Sequence, residues 1–145
     1  LSVYATEAYY AGPDSRLRRF EYRKDGFVSV NGGKRGGVLI TKPIQLGRLV
    51  DRLTLNYRAA EGGRVRVGLY RPDGNAILGF SLAECRALAG DQLSQTVMWK
   101  SVQGNVVGKT NADISQLRKS HPVLQLRIEL KNADLFSIQF QPWLR

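Results

Sequence analysis

The chain has 145 residues, one domain by length, enough to bury roughly two-thirds of the surface its unfolded form would expose. Its 43% apolar and 23% charged residues exclude a disordered chain, and no run approaches the ~18 apolar residues of a membrane span. A lone Cys85 excludes an internal disulfide and a cysteine-rich zinc site, and a net charge of +10 implies attraction to nucleic acid, acidic glycans or an acidic neighbouring domain.

The chain starts at Leu1, and the only methionine is Met98. Residues 1–145 are therefore expected to be one domain from a longer, secreted protein, extracellular or periplasmic. Tyr9 and Tyr10 are adjacent, so in a strand one of them would point outward. Asp25-Gly26 sits between residues 16–23 and 27–30 as a strong hairpin signal. Residues 31–37 (Asn-Gly-Gly-Lys-Arg-Gly-Gly) form a basic loop, either a contact for phosphate, sulfate or carboxylate or simply a long hairpin turn.

From there the dominant period is two. Leu53, Leu55 and Tyr57 alternate with Thr54, Asn56 and Arg58, and Val65, Val67 and Leu69 alternate with Arg64, Arg66 and Gly68. Glu61-Gly62-Gly63 is expected to link these two strands, and Pro72-Asp73-Gly74-Asn75 to close the second. Ser81 and Glu84 have the spacing of a capping box. Trp99 shares its phase with Val97 and is expected in the core. Residues 113–119 could form two helical turns, ended before Pro122. Leu124, Leu126, Ile128 and Leu130 then alternate with Gln125, Arg127 and Glu129. Residues 131–134 are expected to turn the chain, with Phe136, Ile138 and Phe140 following in the same phase. Such strands put one face in a core and one in water, and their spacing predicts an all-β, antiparallel sandwich or jelly roll with one or two short helical turns.

Catalytic constellations are nearly absent, and no enzyme is expected. The single His121 lacks the acid and nucleophile a triad needs. Residues 104–110 (Gly-Asn-Val-Val-Gly-Lys-Thr) have three residues between the glycines, where a phosphate-binding loop needs four. No cofactor is implied. The acids fall mostly in turns, which leaves a structural calcium ion open but unassigned. Sugar binding needs flat aromatic faces beside directed polar groups, and Tyr9, Tyr10, Tyr70, Trp99 and Trp143 are the aromatic candidates. Arg58, Arg64, Arg66 and Arg127 fall on outward strand faces, where they form a basic surface if the strands are neighbours.

Residues 19–30 (Arg-Phe-Glu-Tyr-Arg-Lys-Asp-Gly-Phe-Val-Ser-Val), with 37–43, 53–57, 63–67, Asp73-Gly74, 79–82, Gly90-Asp91, 97–100 and 130–138, form an ordered set. In that order they resemble a C-terminal β-sandwich domain that recurs in bacterial glycoside-hydrolase-like and sialidase-like proteins. The resemblance implies a concanavalin-like, lectin-like jelly roll without chemistry of its own, appended to a catalytic domain. The first expectation is thus an accessory module that binds a glycan or polysaccharide or supports a catalytic neighbour. The candidate ligand-binding residues are Tyr9, Tyr10, Tyr70, Arg58, Arg64, Arg66 and Arg127. The alternatives are an interaction module with a basic docking face, which predicts an exposed apolar patch, and a binder of acidic polymers or nucleic acid.

Overall fold

In the computed structural model the chain is described over residues 1–9, 12–103 and 106–143; the side chains of 101–110 are outside that description, as is the expectation for Tyr10. The described residues are mostly strand, and every strand pairing is antiparallel. An N-terminal pair, β1 (Ser2–Glu7) and β2 (Arg16–Glu21), forms a two-stranded sheet of its own. The main sheet is built on two long strands, β6 (Arg52–Tyr70) and β10 (Val123–Gln141). Along the free side of β10 run β3 (Val30–Asn31), β4 (Gly37–Ile40) and β5 (Ile44–Gln45) in succession, and β7 (Asp91–Thr96) pairs with β6. A second pair, β8 (Trp99–Gln103) and β9 (Val106–Asn111), precedes a single helical turn, α1 (Leu117–Ser120).

The alternating residues are buried as their period demands: Leu53, Leu55, Tyr57, Val65, Val67, Leu69, Leu124, Leu126, Ile128 and Leu130 form the core with Trp99, Phe80, Ile114 and Leu117. Trp99 is fully buried, donates Nε1–H to the Val67 carbonyl at 2.8 Å and meets Phe80 edge to face. Ser81 and Glu84 exchange the two capping-box hydrogen bonds. Cys85 is buried, receives the Val67 N–H on Sγ at 3.2 Å, and has its thiol pushed up to about 11 by desolvation. Such a thiol is neutral at pH 7 and packs as a small apolar side chain.

Two expected turns are kinks instead. Residues 52–70 and 123–141 are each one continuous strand, and the pairing jumps from Lys131–Arg64 to Ala133–Ala59, so that 60–63 are extruded opposite Asn132. Gly62 (φ +71°) and Asn132 (φ +46°) take up the bend, and Asn132 Nδ2 donates to the Glu61 carbonyl at 3.2 Å. A Cβ on Gly63 would run into the carbonyl oxygens of Asn132 and Ala60, so the two strands close only around glycine. Turn chemistry is present, but both strands bend together and pairing survives.

The bulge also shifts the phase of β10. Even-numbered residues are buried up to Leu130, odd-numbered ones at Ala133 and Leu135, and a second shift between Leu135 and Ser137 returns Ile138 and Phe140 to the core side. Phe136, expected in phase with them, therefore faces outward. Asp25-Gly26 does make a turn: Gly26 N–H reaches the Arg23 carbonyl at 3.1 Å, and Asp25 sits at φ +52°. The flanking segments do not pair with each other, since β2 pairs with β1 and β3 with β10. The turn docks instead on β6 through Asn56; Asn56 and Thr54, polar residues expected outward, are both buried.

Candidate functional site

Residues directly opposite on neighbouring strands share a face. On the face of β4, β10 and β6 turned away from the core, Val38, Glu129 and Arg66 make one row, and Lys131 opposes Arg64 in the next. Ile40, Arg127 and Gly68 make a third, and Gln125 opposes Tyr70. Arg64, Arg66, Arg127 and Tyr70 are thus brought together, as alternation on adjacent strands requires.

The two ends of this face differ. At one end Arg127 stacks on the Tyr70 ring at 4.1 Å and donates Nη2–H to the Gly74 carbonyl at 3.2 Å. A Cβ on Gly68 would lie 2.7 Å from the Leu82 nitrogen, so the capped turn at Ser81 roofs that end. Arg127 occupies one face of the Tyr70 ring, so that face is not available as the flat platform a pyranose would need. At the other end the face is open. Arg64 Nε–H donates to Glu129 Oε1 at 3.0 Å, and with Lys131, Arg35, Gly36 and Val38 they line a cleft of about 340 Å³.

The basic loop supplies the cleft's far wall. It is not a hairpin turn, because β3 and β4 both follow β10 in the same direction. Residues 32–36 form an excursion where that edge segment negotiates the kink. Gly32 N–H bonds the Ala133 carbonyl at 3.0 Å, the Gly33 carbonyl accepts from Asn132 N–H at 2.7 Å, and Asn31 Oδ1 caps the Gly33 N–H. Asn31 Nδ2 also donates to Asp134 Oδ1 at 2.8 Å; this bond, with help from Ser29 and Arg58, holds the Asp134 carboxyl below its ordinary range. Arg35, at the loop tip, is exposed.

Arg58 lies beyond the kink and belongs to another cluster. It pairs with Asp134 at 3.4 Å and lies over the Phe136 ring at 5.9 Å. That ring is shared with Arg23, 4.6 Å from its centroid, a residue the sequence reading passed over as part of a strand. Arg23 donates to Asn56 Oδ1 at 2.7 Å, Asp91 Oδ1 at 2.5 Å and the carbonyls of Tyr57 and Gln92. With four of its five N–H donors used, it clasps the N-terminal segment to β6 and β7, and its role is structural. The signal was Asp25-Gly26, which fixes the turn that aims Arg23.

Comparison with known protein families, characterised proteins and solved structures finds no match to the chain. The remaining candidates must stand on geometry alone. Tyr9 is exposed, just past β1, away from the basic face in the strand pairing. Trp143 lies under Arg52, whose guanidinium is 5.0 Å from its ring centroid. His121 follows α1, Nδ1 3.0 Å from Ser120 Oγ, at the edge of a second cleft of about 570 Å³ floored by Ile77, Phe80 and Leu117. Arg71 on its rim is already paired with Asp73 at 2.7 Å. Of residues 104–110, Gly104 and Asn105 lie outside the described residues, and 106–110 belong to a strand rather than the helix that follows a phosphate loop. Among the described residues no three His, Cys, Asp or Glu gather to hold a metal ion.

Proposed function

We propose that this domain is a non-catalytic accessory β-module that supports a neighbouring domain, docking on it through the hairpin of β1 and β2. One observation carries the reading: among the described residues the hairpin pairs with no other strand, and neither of its faces is covered. Val3 opposes Phe20 on one face, while Tyr4 opposes Arg19 and Thr6 opposes Leu17 on the other. Val3 is 42%, Tyr4 59%, Leu17 69% and Phe20 42% exposed. An isolated two-stranded hairpin is marginal in water, and exposed apolar residues on both faces mark a segment built to be enclosed. Its two outer edges also carry unpaired backbone donors and acceptors, which a sheet of another domain satisfies by strand addition.

The reading takes its partner from the family resemblance, a glycoside-hydrolase-like catalytic domain in the same secreted chain. It treats the kinked pair β6 and β10 as the corner of a sandwich, where strands pass from one layer to the next through bulges. A Val3→Thr, Phe20→Thr variant tests the docking. In the chain alone these exposed sites should change stability by less than about 0.5 kcal/mol. In a longer polypeptide that includes the neighbouring domain, the same pair should lower the thermal midpoint by several degrees. Equal effects in both, or none in the longer chain, would sink the proposal.

A further inference from the structure

The open end of the basic face carries a second inference, which does not rest on the hairpin. We infer that the cleft between Arg35, Arg64 and Lys131 binds an acidic sugar, its carboxylate or sulfate group seated among the three cations.

The charge balance is the starting point. Three cations and one carboxylate line the cleft, and Glu129 is already engaged by Arg64 at 3.0 Å. Arg35 and Lys131 make no ion pair among the described residues. Arg66, directly opposite Glu129 and just outside the cleft lining, is a further cation on this face, its Nε buried without a hydrogen-bond partner. Unpaired cations this close together repel one another, and an oxyanion relieves that repulsion.

Part of the wall is held in place. Glu129 orients the Arg64 guanidinium, and the backbone hydrogen bonds of Gly32 to Ala133 and of Asn132 to Gly33 hold the base of the loop against β10. At about 340 Å³ the cleft is at the small end for ligand sites, room for a sugar unit of a longer chain.

Glu129 is what selects a sugar. Its carboxylate accepts at two oxygens, and only Oε1 is taken by Arg64. A ligand with hydroxyls beside its anionic group can donate to the second, whereas a polyanion without hydroxyls has no donor to offer it. Single-stranded nucleic acid would also want a stacking ring, and Tyr70, the one ring on this face among the described residues, carries Arg127 over it.

The test measures binding of the whole chain to a sulfated polysaccharide, a neutral polysaccharide and a single-stranded DNA of matched charge, across a salt series. The sulfated polysaccharide should bind and the neutral one should not. Counterion release makes each charge contact worth roughly half a decade of affinity, so Arg35→Ala with Lys131→Ala should weaken binding about tenfold and flatten the salt dependence. Lys24→Ala with Lys119→Ala removes the same charge elsewhere and should change affinity less than twofold. Equal losses in both doubles, tighter or equal binding of the DNA, or no binding by the parent chain would each overturn the inference.

Discussion

Replacing Arg23 with Ala should destabilise the fold by about 3 kcal/mol, measured as a fall in the denaturant midpoint at unchanged slope. Four acceptors lose their donor at once: Asn56 Oδ1, Asp91 Oδ1 and the carbonyls of Tyr57 and Gln92. The ion pair itself contributes little, since the Asp91 side chain is more than half exposed and screened. The larger cost comes from Asn56, which is buried and would keep an unsatisfied carbonyl oxygen, and from Phe136, which would lose the guanidinium packed over its ring. Arg23→Lys should recover only a minor part, because one ammonium cannot reach four acceptors and cover a ring. A loss under about 1 kcal/mol would mean the segment before β3 docks without its clasp.

Trp99→Ala should cost more, about 4 kcal/mol, from the cavity left by the largest fully buried side chain and the lost indole hydrogen bond to Val67. Trp99→Phe keeps most of the volume and the edge-on contact with Phe80 but not the donor, so it should cost about 1–2 kcal/mol. The ordering of the two variants in a urea titration is the check. If Phe is as damaging as Ala, packing around the ring does not set the stability of this layer.

Much of the core was legible because period-two alternation needs only neighbouring residues to be read. Leu53 to Tyr57, Val65 to Leu69 and Leu124 to Leu130 are buried as their spacing demands, and Ser81 with Glu84 closes the turn it encodes. What failed was the reading of glycine and asparagine as chain reversals. Gly62 and Asn132 do adopt positive φ, but whether a positive φ reverses a strand or merely bends it depends on the partner strand. Here the partner lies about 70 residues away and bends at the same point. The flip of Phe136 to the outer face follows from that bulge, so no local pattern could reveal it.

The site was legible to a similar degree. Arg64, Arg66 and Arg127 come together because alternation placed them on one side of strands that prove to be neighbours. Arg58 has the same phase on paper but sits past the kink, and it joins Arg23 and Phe136 instead. By sequence Lys131 falls in an expected turn and Arg35 in the basic loop. Both acquire a place only when β4 is laid along β10.

The most direct measurement is amide hydrogen exchange over residues 2–21, compared with β6 and β10, in the chain alone and in a polypeptide that includes the neighbouring domain. An uncovered hairpin should open with little free-energy cost, so its amides should exchange far faster than those of the central strands in the isolated chain. In the longer polypeptide they should become protected to a degree approaching β6. Hairpin amides as slow as β6 in the chain alone, or equally fast in both, would contradict the docking role.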